Sequence, residues 1–243
     1  MVWHRCAYKD LGKAAQLCSF VEVDAMLVQV PGHTGGVWLA AHPTDLMKVG
    51  CHRMLNGLFG TTGTLDQLLV SSDDETSVVL LDHYVATCAD LGIHPLIELK
   101  TLDDVSILAT SLPILQENLV SWFTSRNGAA TLFTSDVRLL PTLGGLPKNP
   151  YLGIGVDLRQ AITPMFQEWL FDVATYQFVI VAMWNIATDV VRPFKATGAH
   201  IVPHMVNSEE DLRRALLFID EGDGQNGIGE VMFMVEDATQ WQS

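Results

Sequence analysis

The sequence predicts a TIM (β/α)8 barrel, an α/β fold, formed as a single domain by residues 1–243. Short apolar runs alternate with longer segments of helical pattern along the whole chain. These runs number eight, and the chain of 243 residues matches the roughly 250 residues that this fold usually needs. Near-continuous apolar strands are typical of a parallel sheet that is covered on both faces.

The eight predicted strands follow one another at intervals that leave room for a helix or loop. They are MVWHRCA (1–7), FVEVDAMLV (20–28), HPLIELK (94–100), ATLFTSDV (130–137), YLGIGVDL (151–158), FVIVAMWN (178–185), HIVPHMV (200–206) and EVMFMVED (230–237). The clearest helical segments between them are 9–20, 103–125, 164–175 and 208–220. Ser208 followed by Asp211 predicts a capped start for the last of these helices. A doubly wound sheet is the alternative, but no GxGxxG motif follows the first strand.

One long segment, residues 29–78, interrupts this alternation. It contains a predicted extra strand (GVWLAAH), a Gly- and Thr-rich stretch and an acidic turn (SSDDET). A loop of this length within a barrel is usually functional or disordered, and barrel active sites lie in the loops that follow strands. We therefore predict an insertion that forms an active-site loop after the second strand.

Composition restricts the partners and the location of the protein. There are 28 acidic against 14 basic residues, a net charge of −14, which argues against a nucleic-acid partner. No apolar run reaches the roughly 20 residues of a membrane span, and no signal-peptide pattern begins the chain. A cytoplasmic location is the expectation.

Three carboxylates occur inside or at the end of apolar strands. Glu22 and Asp24 are two residues apart on the second strand, so they share one face, and Glu98 lies on the third. Barrel closure places these strands side by side, and clustered carboxylates need a cation. An oxygen-only set favours a hard divalent metal, Mg²⁺ or Ca²⁺.

Basic and imidazole groups accompany the carboxylates. His4 on the first strand and His42 in the insertion are candidates for acid–base catalysis, since imidazole titrates near neutral pH. Arg5 and Lys100 supply positive charge for an anionic substrate. A metal, two histidines and two cations together indicate phosphoryl chemistry. Trp184 and His204, near the ends of the sixth and seventh strands, are weaker candidates for lining the substrate site.

Four of these elements, in order, resemble the signature of the phospholipase-C-like phosphodiesterase barrels. HRCA, VEVDAML, LAAHP and LIELK are similar to the His-Arg, Glu-x-Asp, second His and Glu-x-Lys elements of the glycerophosphodiester phosphodiesterases, and 204–218 resembles the region from strand seven to helix seven. Cys6 replaces the usual Gly, Pro43 follows His42 instead of Asp, and the Pro-Glu-Asn-Thr stretch is missing. The short spacing from His4 to Glu22 is more similar to the sphingomyelinase D and menorin-type branches, so the branch stays open.

The resemblance implies a metal-dependent phosphodiesterase acting on a glycerophosphodiester or a lysophospholipid-like substrate. It assigns Glu22, Asp24 and Glu98 to the metal. It assigns His4 and His42 to acid–base or nucleophilic catalysis, and Arg5 and Lys100 to the phosphate. Water or a hydroxyl of the substrate is the nucleophile.

A non-catalytic barrel that binds a ligand or a protein partner is the alternative. Fold does not dictate function, and the departures at Cys6 and Pro43 favour this alternative. A structural network of carboxylates with Arg5 and Lys100 would serve such a scaffold, but clustered carboxylates are costly to bury without a functional use.

Overall fold

Parallel strands in chain order form the centre of the molecule, as the sequence predicts. In the computed structural model the described residues are 1–54, 58–70, 78–100, 106–126, 128–136, 138–158, 176–182, 191–204, 206–220, 232–236 and 238–241. The parallel strands that they contain are β1 (Val2–Trp3), β2 (Phe20–Gln29), β7 (His94–Leu99), β8 (Ala130–Phe133), β9 (Leu152–Asp157), β10 (Phe178–Ala182), β11 (His200–His204) and β12 (Met234–Val235). They are hydrogen-bonded in the order β12-β1-β2-β7-β8-β9-β10-β11.

The two ends of this sheet meet. The Val206 N–H, just beyond β11, donates to the Met234 carbonyl oxygen of β12 at 3.1 Å. Among the described residues, the β11–β12 seam carries no regular ladder of strand pairs. The prediction of a TIM-barrel fold with parallel strands is confirmed.

Helices follow most of the parallel strands. The described helices are α1 (Leu11–Leu17), α2 (Pro43–Lys48), α3 (Leu65–Val70), α4 (Leu81–Asp90), α5 (Ser106–Arg126), α6 (Leu140–Gly144), α7 (Arg192–Ala196) and α8 (Glu209–Asp220), with 3₁₀ turns at Tyr8–Asp10 and Ala238–Trp241. Ser208 caps α8 as expected, because its Oγ accepts from the Asp211 N–H at 3.1 Å. The predicted helix over 164–175 lies outside the described residues. Within the described part of the chain, no helix has the length and apolar character needed to cross a membrane.

The segment after β2 adds short strands to the barrel sheet at the outer end of β2. Strand β3 (Val37–Ala40) pairs antiparallel with the upper half of β2, and β6 (Val79–Leu80) pairs with β3. Strands β4 (His52–Arg53) and β5 (Phe59–Gly60) form a second pair, and β5 also adds to the end of β2. A separate apolar core, which includes Met26, Leu39 and Leu46, holds this insertion together. The insertion begins with the strand that delivers His42, so it reaches the mouth of the barrel.

Alternation along the strands divides their side chains between two cores. Val21 and Val23 point outward into the core beneath the helices. The lower interior of the barrel is filled instead by Val2, Leu96, Phe133, Phe178, Ile180, Val202, Met232 and Met234, with Phe20 against them. Gly155 makes this filling possible, since a Cβ there would lie 3.1 Å from the Phe133 Cβ and 3.0 Å from the Phe178 carbonyl oxygen. Interior positions above this apolar layer are polar, and they form the candidate site.

A partly buried histidine at the lower end of the barrel, His94, gives the fold a testable pH dependence. The pKa of His94 is lowered to about 4, chiefly by burial and also by His200, and its Nε2 lies 2.9 Å from the Thr131 Oγ1. Its folded-state pKa is below the unfolded value of 6.5, so the unfolded chain binds more protons between these values and stability falls as pH falls through that window.

We expect His94→Gln, which keeps a hydrogen-bonding group near Thr131, to remove this dependence. Between about pH 7 and about pH 5, wild type should lose roughly 1–2 kcal/mol more unfolding free energy than the variant. Urea denaturation at both pH values measures the difference. Parallel pH profiles for the two proteins would contradict the assignment.

Candidate active site

Three buried carboxylates converge where the inner face of β2 lies beside the C-terminal end of β7. Asp24 and Glu98 are directly opposite in the β2–β7 register, and Glu22 lies one interior position lower on β2. Glu22, Asp24 and Glu98 are 1%, 3% and 1% exposed, and one carboxylate oxygen of each lies within 4.8 Å of the others. Like charges at this separation in a buried site require compensation by a cation.

Lys100 provides part of that compensation. Its Nζ lies 2.8 Å from Glu98 Oε1 and 3.1 Å from Asp24 Oδ1. Burial lowers the pKa of Lys100, but the carboxylates of Glu98, Asp24 and Glu22 outweigh burial, and the net pKa is raised. Lys100 is therefore charged at neutral pH and sits among the carboxylates.

Asp24 has three basic side chains close to it. In addition to Lys100, the Arg5 Nε lies 4.0 Å and the His42 Nε2 lies 3.8 Å from Asp24 Oδ2. Burial still raises the pKa of Asp24, and the Glu98 charge adds to that rise while Lys100 opposes it.

Like Asp24, both of whose carboxylate oxygens lack a geometric hydrogen bond among the described residues, Glu22 is incompletely satisfied. Its Oε2 accepts a hydrogen bond from the Arg5 backbone N–H at 2.8 Å, and its Oε1 has no hydrogen-bond partner among the described residues. Burial, then the charges of Asp24 and Glu98, raise the pKa of Glu22 well above its ordinary value. Arg5 adopts φ +47°, a left-handed conformation that is uncommon for a residue with a side chain. That strained conformation turns its N–H toward Glu22, as is common at functional sites.

The hydrogen bonds of His4 assign its tautomer. Its Nδ1 lies 3.0 Å from Glu236 Oε1, so Nδ1 carries the proton and donates it to that carboxylate. Its Nε2 lies 3.6 Å from Glu22 Oε2, beyond hydrogen-bond distance, and presents its lone pair to the site. His4 thus has the orientation of a general base.

His42 reaches the same site from the insertion. It is the N-cap of α2, where its Nδ1 accepts from the Thr44 N–H at 3.3 Å and lies 2.7 Å from Thr44 Oγ1. Nε2 is then the protonated nitrogen, and it faces Asp24. Burial lowers the pKa of His42, with Arg5 and Lys100 contributing and Asp24 opposing.

An open cleft of about 470 Å³ lies beside this cluster. Arg5, Asp24, His42 and Asp45 line it together with largely apolar groups. The cleft is large enough for a small polar substrate group next to Asp24, the one carboxylate of the three that lines it.

The residues that the sequence analysis predicts to carry the chemistry lie together in the structure. They are His4, Arg5, Glu22, Asp24, His42, Glu98 and Lys100. His204, predicted to line the substrate site, is buried with its ring edge-on to that of His4, the centroids 4.6 Å apart. Trp184 lies outside the described residues.

Two groups at the site were missed from the sequence. Glu236, the partner of His4, stands two residues after the interior Met234, so the same alternation rule places it on the inner face. Ser135 donates from its Oγ to Glu98 Oε1 at 3.2 Å, and it likewise follows the interior Phe133 by two residues. Both were identifiable by extending the alternation past the apolar end of each strand.

The fold and the site define a parallel barrel with a carboxylate-rich mouth, and solved structures of this kind exist. The chain matches a phosphodiesterase of Oleispira antarctica in complex with the product sn-glycerol-3-phosphate at 14% identity, covering 98% of this chain and 93% of that one, with a TM-score of 0.62. It matches glycerophosphodiester phosphodiesterases of Parabacteroides distasonis (14% identity, 98% and 94% coverage, TM-score 0.63) and Thermotoga maritima (16%, 99% and 96%, 0.57).

No protein-family model and no curated protein sequence matches the chain. The structural matches cover nearly the whole length of both partners, so the likeness extends over the entire barrel and its insertion. At these identities they establish a shared fold.

The carboxylate cluster predicts an unusual stability effect in metal-free protein. The folded-state pKa of Glu22 is raised above its ordinary 4.5, so the folded protein holds this proton more tightly and loses stability as pH rises through the raised pKa. In a chelating buffer near neutral pH, Glu22→Gln should stabilise the protein by about 1–3 kcal/mol. Urea denaturation measures this, with Glu209→Gln, an exposed change on α8, as the control. A destabilised Glu22→Gln variant would show that the charged carboxylate is well compensated without a metal.

Proposed function

We propose that this protein is a metal-dependent phosphodiesterase of the phospholipase-C-like superfamily that cleaves a glycerophosphodiester or a lysophospholipid-like substrate. The observation that carries this proposal is the set of three buried carboxylates, with an unsatisfied Glu22 oxygen, between two cations and two imidazoles. The barrel that holds them is shared with phosphodiesterase structures, one of which contains sn-glycerol-3-phosphate as its product.

The carboxylates fit a divalent cation. Oxygens bound at 2.0–2.6 Å to one ion are about 3–5 Å apart, and the oxygens of Glu22, Asp24 and Glu98 lie within 4.8 Å of one another. The unpartnered Glu22 Oε1 also points to a missing ligand. An all-oxygen set suits Mg²⁺ or Ca²⁺. Such an ion, when bound, polarises a phosphoryl oxygen and neutralises the negative charge that develops there.

His4 is placed to activate the nucleophile. Its Nε2 lone pair faces the site and accepts the proton of the attacking hydroxyl, from water or from the substrate, as the new O–P bond forms. The resulting imidazolium is stabilised by Glu236 on Nδ1 and by Glu22 beside Nε2. Glu236 therefore orients the ring and holds its tautomer, as the carboxylate does in a catalytic triad.

His42 is placed on the other side of Asp24 to protonate the leaving oxygen as its P–O bond breaks. In the protonated form, Nδ1–H donates to Thr44 Oγ1 and Nε2–H faces the site. The lowered pKa of His42 makes this imidazolium a stronger acid. Arg5, whose side chain is half exposed at the edge of the cleft, binds the phosphate together with Lys100.

The decisive experiment is turnover by the carboxylate variants. Glu22→Gln and Asp24→Asn, singly and together, should each reduce hydrolysis of glycerophosphodiesters in Mg²⁺ or Ca²⁺ by at least about 10³-fold, because each removes a charged ligand from the ion that stabilises the transition state. Calorimetric titration of the same ions should show saturable binding that the double variant loses. Unfolding curves serve as the control, and Glu209→Gln is the matched carboxylate change outside the site.

The non-catalytic alternative makes the opposite prediction for binding and turnover. If wild type binds neither ion and turns over no phosphodiester, the barrel is a ligand-binding or scaffold protein.

The roles of His4 and His42 can be distinguished with two substrates that have different leaving groups. We expect His42→Ala to reduce hydrolysis of a glycerophosphodiester by roughly 10²–10⁴-fold, but to affect a p-nitrophenyl phosphodiester much less, because nitrophenolate leaves without a proton. His4→Ala should impair both substrates to a similar degree, since both need the nucleophile activated. Steady-state kcat/KM on the two substrates measures the contrast, and equal losses for His42→Ala on both would reject its role as the acid.

A further inference from the structure

We propose that His4, His204 and Glu236 form a second cation site that is selective for a transition metal such as Zn²⁺. It is separate from Glu22, Asp24 and Glu98, called the carboxylate trio below. A metal ion bound at this site prevents His4 from acting as the general base. This inhibitory role of the site rests on the proposed phosphodiesterase function. The binding itself rests only on the geometry of the three side chains.

Adjacent strand ends bring the three residues together. His4 follows β1, Glu236 follows β12, and His204 is the last residue of β11. Strand β12 pairs with β1 directly and is joined to the chain beyond β11 by the Val206–Met234 hydrogen bond. All three side chains thus project from the C-terminal ends of neighbouring barrel strands.

The distances suit a small tetrahedral ion after minor side-chain rotation. One ligand atom from each residue lies within 4.8 Å of the other two, and His4 Nδ1 is 3.0 Å from Glu236 Oε1. Ligand atoms about 2 Å from a tetrahedral zinc ion are about 3.3 Å from one another. The two imidazole rings meet edge-on at an interplanar angle of 81°, with their centroids 4.6 Å apart. One nitrogen of each ring can therefore bind the same ion without the rings stacking on each other.

The ligand atoms of this second site differ in type from those of the carboxylate trio. Two imidazoles and one carboxylate are the ligands of many zinc sites and leave a fourth position open, whereas Glu22, Asp24 and Glu98 offer oxygen alone. Mg²⁺ and Ca²⁺ therefore prefer the trio, and Zn²⁺ prefers the histidines. The Glu236 side chain is 45% exposed while that of His4 is 4% exposed, so an ion can enter from solvent along Glu236 to a largely enclosed position.

Zinc at this position changes the chemistry of His4. Metal binding at Nδ1 displaces the proton shared with Glu236 and leaves the ring proton on Nε2, directed at Glu22 Oε2. A metal-bound histidine that donates its other N–H to a carboxylate is a common arrangement. The Nε2 lone pair that accepts the proton of the nucleophile is then absent. The second ion thus inhibits without displacing the first.

Cobalt substitution tests the binding. Chelator-treated protein is first saturated with Mg²⁺ and then titrated with Co²⁺, whose visible bands are intense in tetrahedral sites with nitrogen ligands and weak in octahedral oxygen sites. Wild type should show the intense bands, and Zn²⁺ should remove them. His204→Gln and Glu236→Gln should each weaken Co²⁺ affinity by more than about 10-fold. His200→Gln, at the opposite end of β11, and Glu209→Gln are the matched controls and should keep the bands.

Zinc inhibition tests the consequence on the same proteins. With Mg²⁺ in excess, Zn²⁺ should suppress the phosphodiesterase activity of wild type and His200→Gln. The activity that His204→Gln retains, whatever its level, should be at least about 10-fold less sensitive, in line with its weaker affinity.

Three outcomes overturn the second site or its role. Wild type without the intense Co²⁺ bands has no such site. Bands that Glu22→Gln/Asp24→Asn removes and His204→Gln keeps belong to the trio. If Zn²⁺ inhibits the phosphodiesterase activity of wild type and of His204→Gln equally, the inhibition does not arise from this site. Absence of turnover in every protein instead rejects the proposed function, and the Co²⁺ titration still decides whether the site exists.

Discussion

The mutual repulsion of Glu22, Asp24 and Glu98 in a buried space is the constraint on which the upper half of the barrel depends. Lys100 lies between two of these carboxylates, and the Arg5 backbone is held in a left-handed conformation to donate to the third. These contacts leave the cluster with an excess of negative charge and with an unpartnered oxygen on Glu22. Such an arrangement is costly for a purely structural role, and it becomes favourable when a divalent cation is bound.

The barrel accommodates this cluster because its interior is apolar at one end of its axis and polar at the other. Below, large apolar side chains such as Phe133 and Phe178 fill the interior. Above, the same alternating positions carry carboxylates and imidazoles, and Asp24 among them lines the cleft. The stability of the lower layer allows the upper layer to hold groups that repel one another. In barrels generally, catalytic residues occupy this C-terminal end.

The sequence was sufficient for the fold, because apolar strands alternate with helical segments along the chain, and for the pairing of carboxylates in the candidate site, because it follows from the two-residue period of a strand. That period places Glu22 with Asp24 and directs Val21 and Val23 to the outer core. Contacts across the barrel seam were not predictable in this way. Glu236 is 232 residues from His4, and only closure of the sheet brings their side chains to 3.0 Å. The tautomers of His4 and His42, the left-handed Arg5 and the burial of His204 against His4 likewise depend on tertiary packing that no local pattern encodes.

The separate core of the insertion has a consequence for cooperativity. His42 stands at the start of a segment that packs around Leu39 and Leu46, whereas the carboxylates stand on strands anchored in the barrel. Segments with their own small cores open by local unfolding at a lower free energy than the whole domain. Mild denaturant or heat that opens the insertion would withdraw His42 while the carboxylates stayed in place. Under the proposed function, loss of turnover would then precede loss of metal affinity, and the insertion, not the barrel, would set the range of conditions in which the protein is active.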